Sequence, residues 1–370
     1  MLGDICQIAM GQSPSSDTYT MNKAGVPFFQ GNADFGEENP IPRIWCNKPI
    51  KIANENDILI SVRAPIGSIN IANRKCCIGR GLAKITPNTC VYLRYLIWFL
   101  RSRTKFLQDN GTGTTFKAIN KKQLETLPIS LPNVNEQMQI GQVLDKLSSS
   151  INLKKKQYRV LDKLVKSQFI ELKHNKKQKI TLLKNVCKIG SAKRVYHHEL
   201  RSVGEVPFFK VSDIVQLSNS ISPSKKQFLS NETYNELVLE HAIPLPEDIL
   251  ITTRGTIGVS YKMKVNDKFY FQDGMVSWIR VLDKSLISEF LSAYLQFEQC
   301  KLQMNKQSGS TVGYLSLKDL SNIQISYPDK LEQEKFICFK HAVDKSKFIV
   351  QQSIEKLELL KKSLMQQYFG

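Results

Sequence analysis

Two short segments place an arginine just beyond an apolar, β-favouring run. Arg63 follows Ile58-Leu59-Ile60-Ser61-Val62, and Arg254 follows Ile249 to Thr252. Each opens a tight turn, Arg-Ala-Pro-Ile-Gly at 63–67 and Arg-Gly-Thr-Ile-Gly at 254–258, whose proline or glycine would project the guanidinium outward. Such an arginine can grip a phosphate or address guanine through paired N–H donors. It can equally serve as a salt bridge inside its domain, and the sequence leaves both readings open. Other polar groups suited to base edges and phosphates stand in nearby loops. They include Gln30 and Asn32, then Arg74 and Lys75 near Arg80, then Lys193 and Arg194, and Lys210. Two Gly/Ser/Thr loops carry small hydroxyls and flexible backbone N–H groups that could approach a phosphate. One contains Thr112, Thr114 and Lys117, the other Ser308 and Ser310. A plain connector between elements would look the same.

Residue patterns that would support catalysis are missing. There is no GxxxxGK[ST] phosphate loop, no GxGxxG after a strand, no HExxH and no paired CxxC. Asn39-Pro40-Ile41-Pro42 lacks the aromatic of an amino-methyltransferase site and reads as a loop. Glu247-Asp248 could suggest a nuclease carboxylate pair, yet the matching position is Asn56-Asp57, so only the aspartate recurs. A strand-leading aspartate is commonly a turn residue that caps local N–H groups. His197-His198 sit in a Lys/Arg-rich loop and read as surface or nucleic-acid-facing residues. The expectation is no catalytic residue, no bound metal and no cofactor in this chain.

The charge balance points to a polyanionic partner. Over 370 residues, 52 Lys+Arg against 33 Asp+Glu leave a net charge of +19, and nucleic acid is the commonest large polyanion in a cell. The first residues do not form a secretion signal, and the apolar run from Tyr92 to Leu100 is too short to span a bilayer. The 8 cysteines are scattered, as in reduced cytosolic proteins. The expected setting is cytoplasmic, with no membrane partner.

The elements that position these residues come in two copies. Val26-Pro27-Phe28-Phe29 recurs as Val206-Pro207-Phe208-Phe209, and Asp57-Ile58-Leu59-Ile60 as Asp248-Ile249-Leu250-Ile251. Further along, Thr112-Gly113-Thr114-Thr115 pairs with Ser308-Gly309-Ser310-Thr311, Ile129-Ser130-Leu131-Pro132 with Ile325-Ser326-Tyr327-Pro328, and Glu136-Gln137 with Glu332-Gln333. The order is kept and the offset only grows, as loop insertions would make it.

Each copy starts as an α/β (α+β) domain of short strands with one helical stretch, Val91–Leu107 or Leu286–Met304, then a short strand ending at Pro132 or Pro328. In the first stretch Tyr92, Tyr95, Phe99 and Phe106 fall near helical spacing and are expected in the core. A proline-free segment follows. From Ile140 through Leu144, Leu147, Ile151, Lys154, Tyr158, Leu161, Val165 and Gln168 to Leu172, spacings of four and three alternate, which is a heptad seam. The second copy repeats it through Phe336, Lys340, Val343, Lys347, Val350, Ile354, Leu357, Lys361, Leu364 and Tyr368. A helix over 136–172 would be about 55 Å long, and two such helices pack most economically as an antiparallel coiled coil. The expected division is 1–132 and 176–328 for the domains and 133–175 and 329–370 for the helices. The Lys173–Lys179 connector should be a solvated turn.

In this order the features resemble the specificity subunit of type I restriction–modification systems, over nearly the whole chain. Leu2-Gly3-Asp4-Ile5 and Gly11-Gln12-Ser13-Pro14-Ser15 are similar to the family's Leu-Gly-Asp and Gly-x-Thr-Pro opening. Asn56–Ile60 and Glu247–Ile251 are similar to its Gly-Asp-hydrophobic strand, and Leu131-Pro132…Glu136-Gln137 to its Pro-x-x-x-Glu-Gln start of the spacer helix. The resemblance implies two target-recognition domains related by a pseudo-twofold axis, each reading half of a bipartite asymmetric site in double-stranded DNA. It implies that the helices set the spacing and dock two modification subunits, which carry S-adenosylmethionine. A restriction subunit using Mg and ATP would be a further partner. Two departures stand out. The second copy blurs the Gly-x-Thr-Pro element as Gly190-Ser191-Ala192-Lys193, and it is preceded by a candidate strand, Lys179–Leu182, with no counterpart before Met1. The competing reading is a non-catalytic basic coiled-coil scaffold without sequence-specific DNA readout. A nuclease or methyltransferase acting alone is disfavoured by the missing motifs.

Overall fold

The side chains of Ile58 and Ile60 point to one face of their strand and that of Leu59 to the other, as the two-residue period of a β-strand requires, and all three are fully buried. A strand buried on both faces needs a layer on each side, and both layers are present. The computed structural model describes the whole chain except residues 114–116, 176, 220, 225, 241–242 and 308–312 and the side chains of 175, 306 and 307. It divides into two units, Met1–Gln157 with Val350–Gly370, and Tyr158–Ile349.

In the first unit the strands are β1 (Cys6–Met10), β2 (Tyr19–Thr20), β3 (Val26–Phe29), β4 (Ile44–Cys46), β5 (Ile52–Ala53), β6 (Ile58–Ser61), β7 (Ile69–Ile71), β8 (Cys76–Ile78) and β9 (Leu82–Pro87). An antiparallel sheet runs β1-β9-β6-β7, and a mixed sheet runs β2-β4-β3-β8-β5 with β3 and β8 parallel. Ile58 and Ile60 join the core built on helix Leu93–Ser102, with Tyr95, Trp98 and Phe99. Leu59 joins a second core with Phe29 and Ile78 of the mixed sheet.

The second unit repeats this plan with β10 (Lys179–Leu182), β11 (Cys187–Ser191), β12 (Val206–Phe209), β13 (Phe228–Leu229), β14 (Ile249–Thr252), β15 (Ser260–Lys262), β16 (Tyr270–Phe271), β17 (Val276–Val281) and β18 (Gln324–Tyr327). The antiparallel sheet is β11-β17-β14-β15, and β12 pairs in parallel with β16. Phe28↔Cys77 and Phe29↔Ile78 in one unit match Phe208↔Tyr270 and Phe209↔Phe271 in the other. Strand order and register thus carry the internal repeat into three dimensions.

Two long helices complete the chain, Val134–Asn175 and Lys330–Phe369, longer at both ends than the seam alone suggested. All twenty seam positions are buried or half-buried. In the first unit Leu144 shares a core with Phe369, and Lys155 pairs with Glu358 at 2.6 Å, so the numbering of the two helices runs in opposite directions. In the second unit Lys347 pairs with Asp162 at 3.1 Å and Phe169 meets Phe336, again antiparallel. Two of the four seam lysines lie on aromatic faces: the Lys347 ammonium is 4.9 Å from the Tyr158 ring, and Lys361 is 4.7 Å from Trp98.

Three sequence expectations are corrected. The stretches 91–107 and 286–304 are each two helices, Leu93–Ser102 with Thr104–Asp109 and Ser288–Leu295 with Glu298–Gln307. The chain turns at Arg103 (φ −91°, ψ 0°), so helical spacing does not carry across, and Phe106 is 50% exposed while Tyr95 and Phe99 are buried. A strand before the second long helix exists only in the second unit, where β18 is paired by β10; no strand occupies 128–131. The Lys173–Lys179 segment is not wholly a turn: the helix continues to Asn175, and Lys179 opens β10 with an ion pair to Asp283 at 2.6 Å.

Candidate nucleic-acid interface

At one edge of the first unit, four distant segments are tied together by backbone hydrogen bonds. Gly81 N–H donates to the Gln30 carbonyl (3.1 Å), Val62 N–H to Gly81 (2.9 Å) and Ile119 N–H to Val62 (2.9 Å). Thr112 and Ala118 exchange two bonds of 2.9 and 2.8 Å, and Ala118 also bridges Arg63. This ledge gathers Gln30, Arg63, Arg80, Thr112 and Lys117, all exposed, from loops at the ends of β3, β6 and β8 and from the paired residues around Thr112 and Ala118. Gln30 is held at its backbone: its N–H donates to the Asp34 carboxylate (2.7 Å), leaving the side chain outside. Asn32 lies in the short turn that follows, half-buried. Among the described residues no ion pair neutralises Arg63 or Arg80, so both guanidinium groups remain available to an anion or a base edge. Arg74 and Lys75 are exposed but sit before β8, at the opposite end of that strand from Arg80, and do not join the ledge.

The second unit repeats the frame of this ledge. Gln272 N–H donates to Phe209 (3.1 Å) as Gly79 N–H does to Phe29 (2.8 Å), Thr253 N–H to Met275 (2.8 Å) as Val62 to Gly81, and Leu315 N–H to Thr253 (2.9 Å) as Ile119 to Val62. No bond among the described residues matches that from Gly81 to Gln30. Arg254 bridges Tyr314 and lies over its ring at 5.0 Å, so neither arginine turn serves as an internal salt bridge among the described residues. Lys210 is exposed and begins helix Val211–Ser218, with its N–H bound to Asp213 at 2.8 Å. The other predicted cations here are partly compensated: Lys193 pairs with Glu240 at 2.6 Å, and Arg194 lies 4.0 Å from Asp273 and 5.6 Å from the Tyr196 ring. Thr114, Ser308 and Ser310 fall outside the described residues. Sequence reasoning missed Tyr314 and Asp273, because nothing local marks a lone tyrosine or aspartate as a neighbour of an arginine far away in the chain.

Ligand chemistry and scaffold chemistry separate cleanly at the strand-leading aspartates. Asp57 and Asp248 are each 2% exposed. Asp57 accepts the Asn54 N–H (2.7 Å) and Lys84, while Asp248 accepts the Leu245 N–H (2.7 Å) and both arms of Arg280 (2.9 and 2.7 Å). They are turn caps locked in ion pairs. Asn39 is likewise a loop pin, its amide donating to the Ile71 carbonyl at 2.9 Å.

The family model for the type I restriction modification DNA specificity domain matches residues 1–163 and again 175–359. The chain belongs to this family. Its two specificity-domain matches follow the internal repeat, one ledge in each. Over 164 residues the chain is 43% identical to a Methanocaldococcus jannaschii protein named as the MjaX type I restriction enzyme specificity subunit, a match covering 43% of this chain and 38% of that relative. The MjaIX type I restriction enzyme specificity subunit of the same organism is 25% identical over 369 residues, 90% of this chain and 83% of the relative. The crystal structure of a type I restriction–modification S subunit from M. genitalium superposes with a TM-score of 0.63 at 15% identity, covering 100% of this chain and 95% of that one, which establishes the specificity-subunit fold. No helix among the described residues is long and apolar enough to cross a membrane.

Proposed function

We propose that this chain is the DNA-reading subunit of a type I restriction–modification complex, each unit's ledge reading one half of a bipartite asymmetric site. The observation that carries this reading is the ledge itself, whose frame recurs in both units through three matching backbone hydrogen bonds and is lined differently in each. A shared frame with different side chains is what two different half-sites require. The +19 charge supports a duplex as the ligand through phosphate attraction.

The long helices would set the gap between the half-sites and dock two modification subunits. Leu153, Val160 and Leu359, 66%, 63% and 70% exposed on those helices, are apolar groups suited to a protein partner. In this reading the chain performs no catalysis; S-adenosylmethionine, Mg and ATP belong to the modification and restriction subunits. Methylation mapping of a genome with the chain present and absent tests it: one bipartite adenine motif should vanish. An unchanged methylation pattern would leave the scaffold reading standing instead.

A further inference from the structure

The turn that closes the ledge has opposite charge in the two units. After the parallel strand, the first unit continues Gly79-Arg80-Gly81 and the second Gln272-Asp273-Gly274-Met275. The positions correspond through their backbone bonds: Gly79 N–H donates to Phe29 as Gln272 N–H donates to Phe209, and Gly81 accepts from Val62 as Met275 accepts from Thr253. The second turn is one residue longer, with Gly274 as the extra residue. Counted from the parallel strand, whose Ile78 and Phe271 pair alike with Phe29 and Phe209, Arg80 and Asp273 are each the second residue of the turn. In the first unit the flanking backbone is pressed onto its surroundings, since a Cβ on Gly81 would lie 2.4 Å from the Gln30 carbonyl oxygen. The Arg80 N–H is fixed by Ser13 Oγ at 3.2 Å, and only its side chain leaves the turn.

Resting on the reading above, we infer that Arg80 and Asp273 are equivalent base-reading positions, Arg80 addressing a guanine in the half-site of the first unit and Asp273 a cytosine in that of the second. An exposed arginine free of ion pairs can donate to both O6 and N7 of guanine. The aspartate is the more informative of the two. A carboxylate on a DNA-facing edge is repelled by phosphates and accepts only from donors, and in the major groove these are the exocyclic amines of cytosine and adenine. On adenine the neighbouring N7 acceptor opposes a carboxylate, whereas cytosine offers N4 without it. Asp273 retains 32% side-chain exposure, and Arg194 approaches only to 4.0 Å while also lying over Tyr196, so the carboxylate keeps free acceptor capacity.

The test is selection from randomised duplexes by the chain assembled with its modification subunits, comparing wild type, Arg80→Ala, Asp273→Asn and Asp273→Ala. The wild type should select a bipartite motif. Arg80→Ala should lower preference for one guanine in one half by about 5-fold to 150-fold and leave the other half intact. Asp273→Asn should move one position of the other half from cytosine toward adenine, which a carboxamide can bind at N6 and N7, and Asp273→Ala should flatten that position. In each variant the unaffected half-motif reports that the protein is folded. A bipartite motif that no variant alters, or a uniform loss across all duplexes, overturns the inference alone: the first would remove both residues from readout, the second would make Arg80 a phosphate grip and Asp273 an orienting partner of Arg194. A wild type that selects no bipartite motif overturns the functional reading together with it.

Discussion

Asp248 shows how a buried charge serves the edge of a sheet. Its carboxylate caps the Leu245 N–H and holds Arg280 through two donors, so truncating it strips a backbone donor and a guanidinium of partners at once. Asp248→Ala should destabilise the protein by about 2–4 kcal/mol, read by urea unfolding, with Asp248→Asn recovering part through the retained cap. A second residue-scale effect concerns acid. The Lys179 ammonium, with Ser285, holds the Asp283 carboxyl well below the usual carboxylate range. A depressed folded-state pKa gives stability that is present above the unfolded value of about 4 and is lost as pH falls below it. Unfolding curves of wild type and Asp283→Asn should therefore differ at neutral pH and converge in acid. A constant gap across that range would assign the contribution to packing.

The long helices are attached at their beginnings by a repeated glutamine. Gln137, 1% exposed, accepts the Tyr92 N–H (2.8 Å) and donates to the carbonyls of Cys90 (3.1 Å) and Pro132 (2.9 Å). Gln333, fully buried, makes the same three bonds to Ile287, Ser285 and Pro328. Gln137→Ala and Gln333→Ala should each cost about 2–3 kcal/mol by orphaning a buried N–H and two carbonyls, and hydrogen exchange should quicken first in the opening turns of the affected helix. At the far ends the anchors are aromatic: Phe369 packs 5.3 Å from Tyr95, and Phe169 stacks 3.7 Å from Phe297. Phe369→Ala should remove about 3 kcal/mol, with the loss felt in the first unit. The seam of these helices was legible because four-three spacing survives any tertiary context. Their glutamine latches showed only as a repeated Glu-Gln, and the break at Arg103 left no mark, since no proline or glycine announces it.

For the whole molecule, the duplication was readable because identical strings recur in order, and the strand topology now repeats with them. The ledge was not readable as a place. Gln30, Val62, Gly81 and Ile119 meet through pairings between segments far apart in sequence, so sequence supplied the residue types while only the sheet order could bring Arg63 to Arg80 and leave Arg74 and Lys75 behind. The division of labour is testable by exchange. Replacing residues 1–132 with the equivalent domain of another specificity subunit should change one half of the methylated motif, and removing whole turns within 136–172 should change only the gap; edits that alter the same bases would defeat the scheme.

The first unit also holds residues 350–370, and Phe369 lies in the same core as Leu2, Tyr95 and Leu144. During synthesis, then, the unit translated first cannot complete its core until residues 350–370 are made, after all of the second unit. Until that moment Tyr95, Phe99 and Leu144 lack Phe369 as a packing partner, and the nascent first unit exposes apolar surface that the finished core covers.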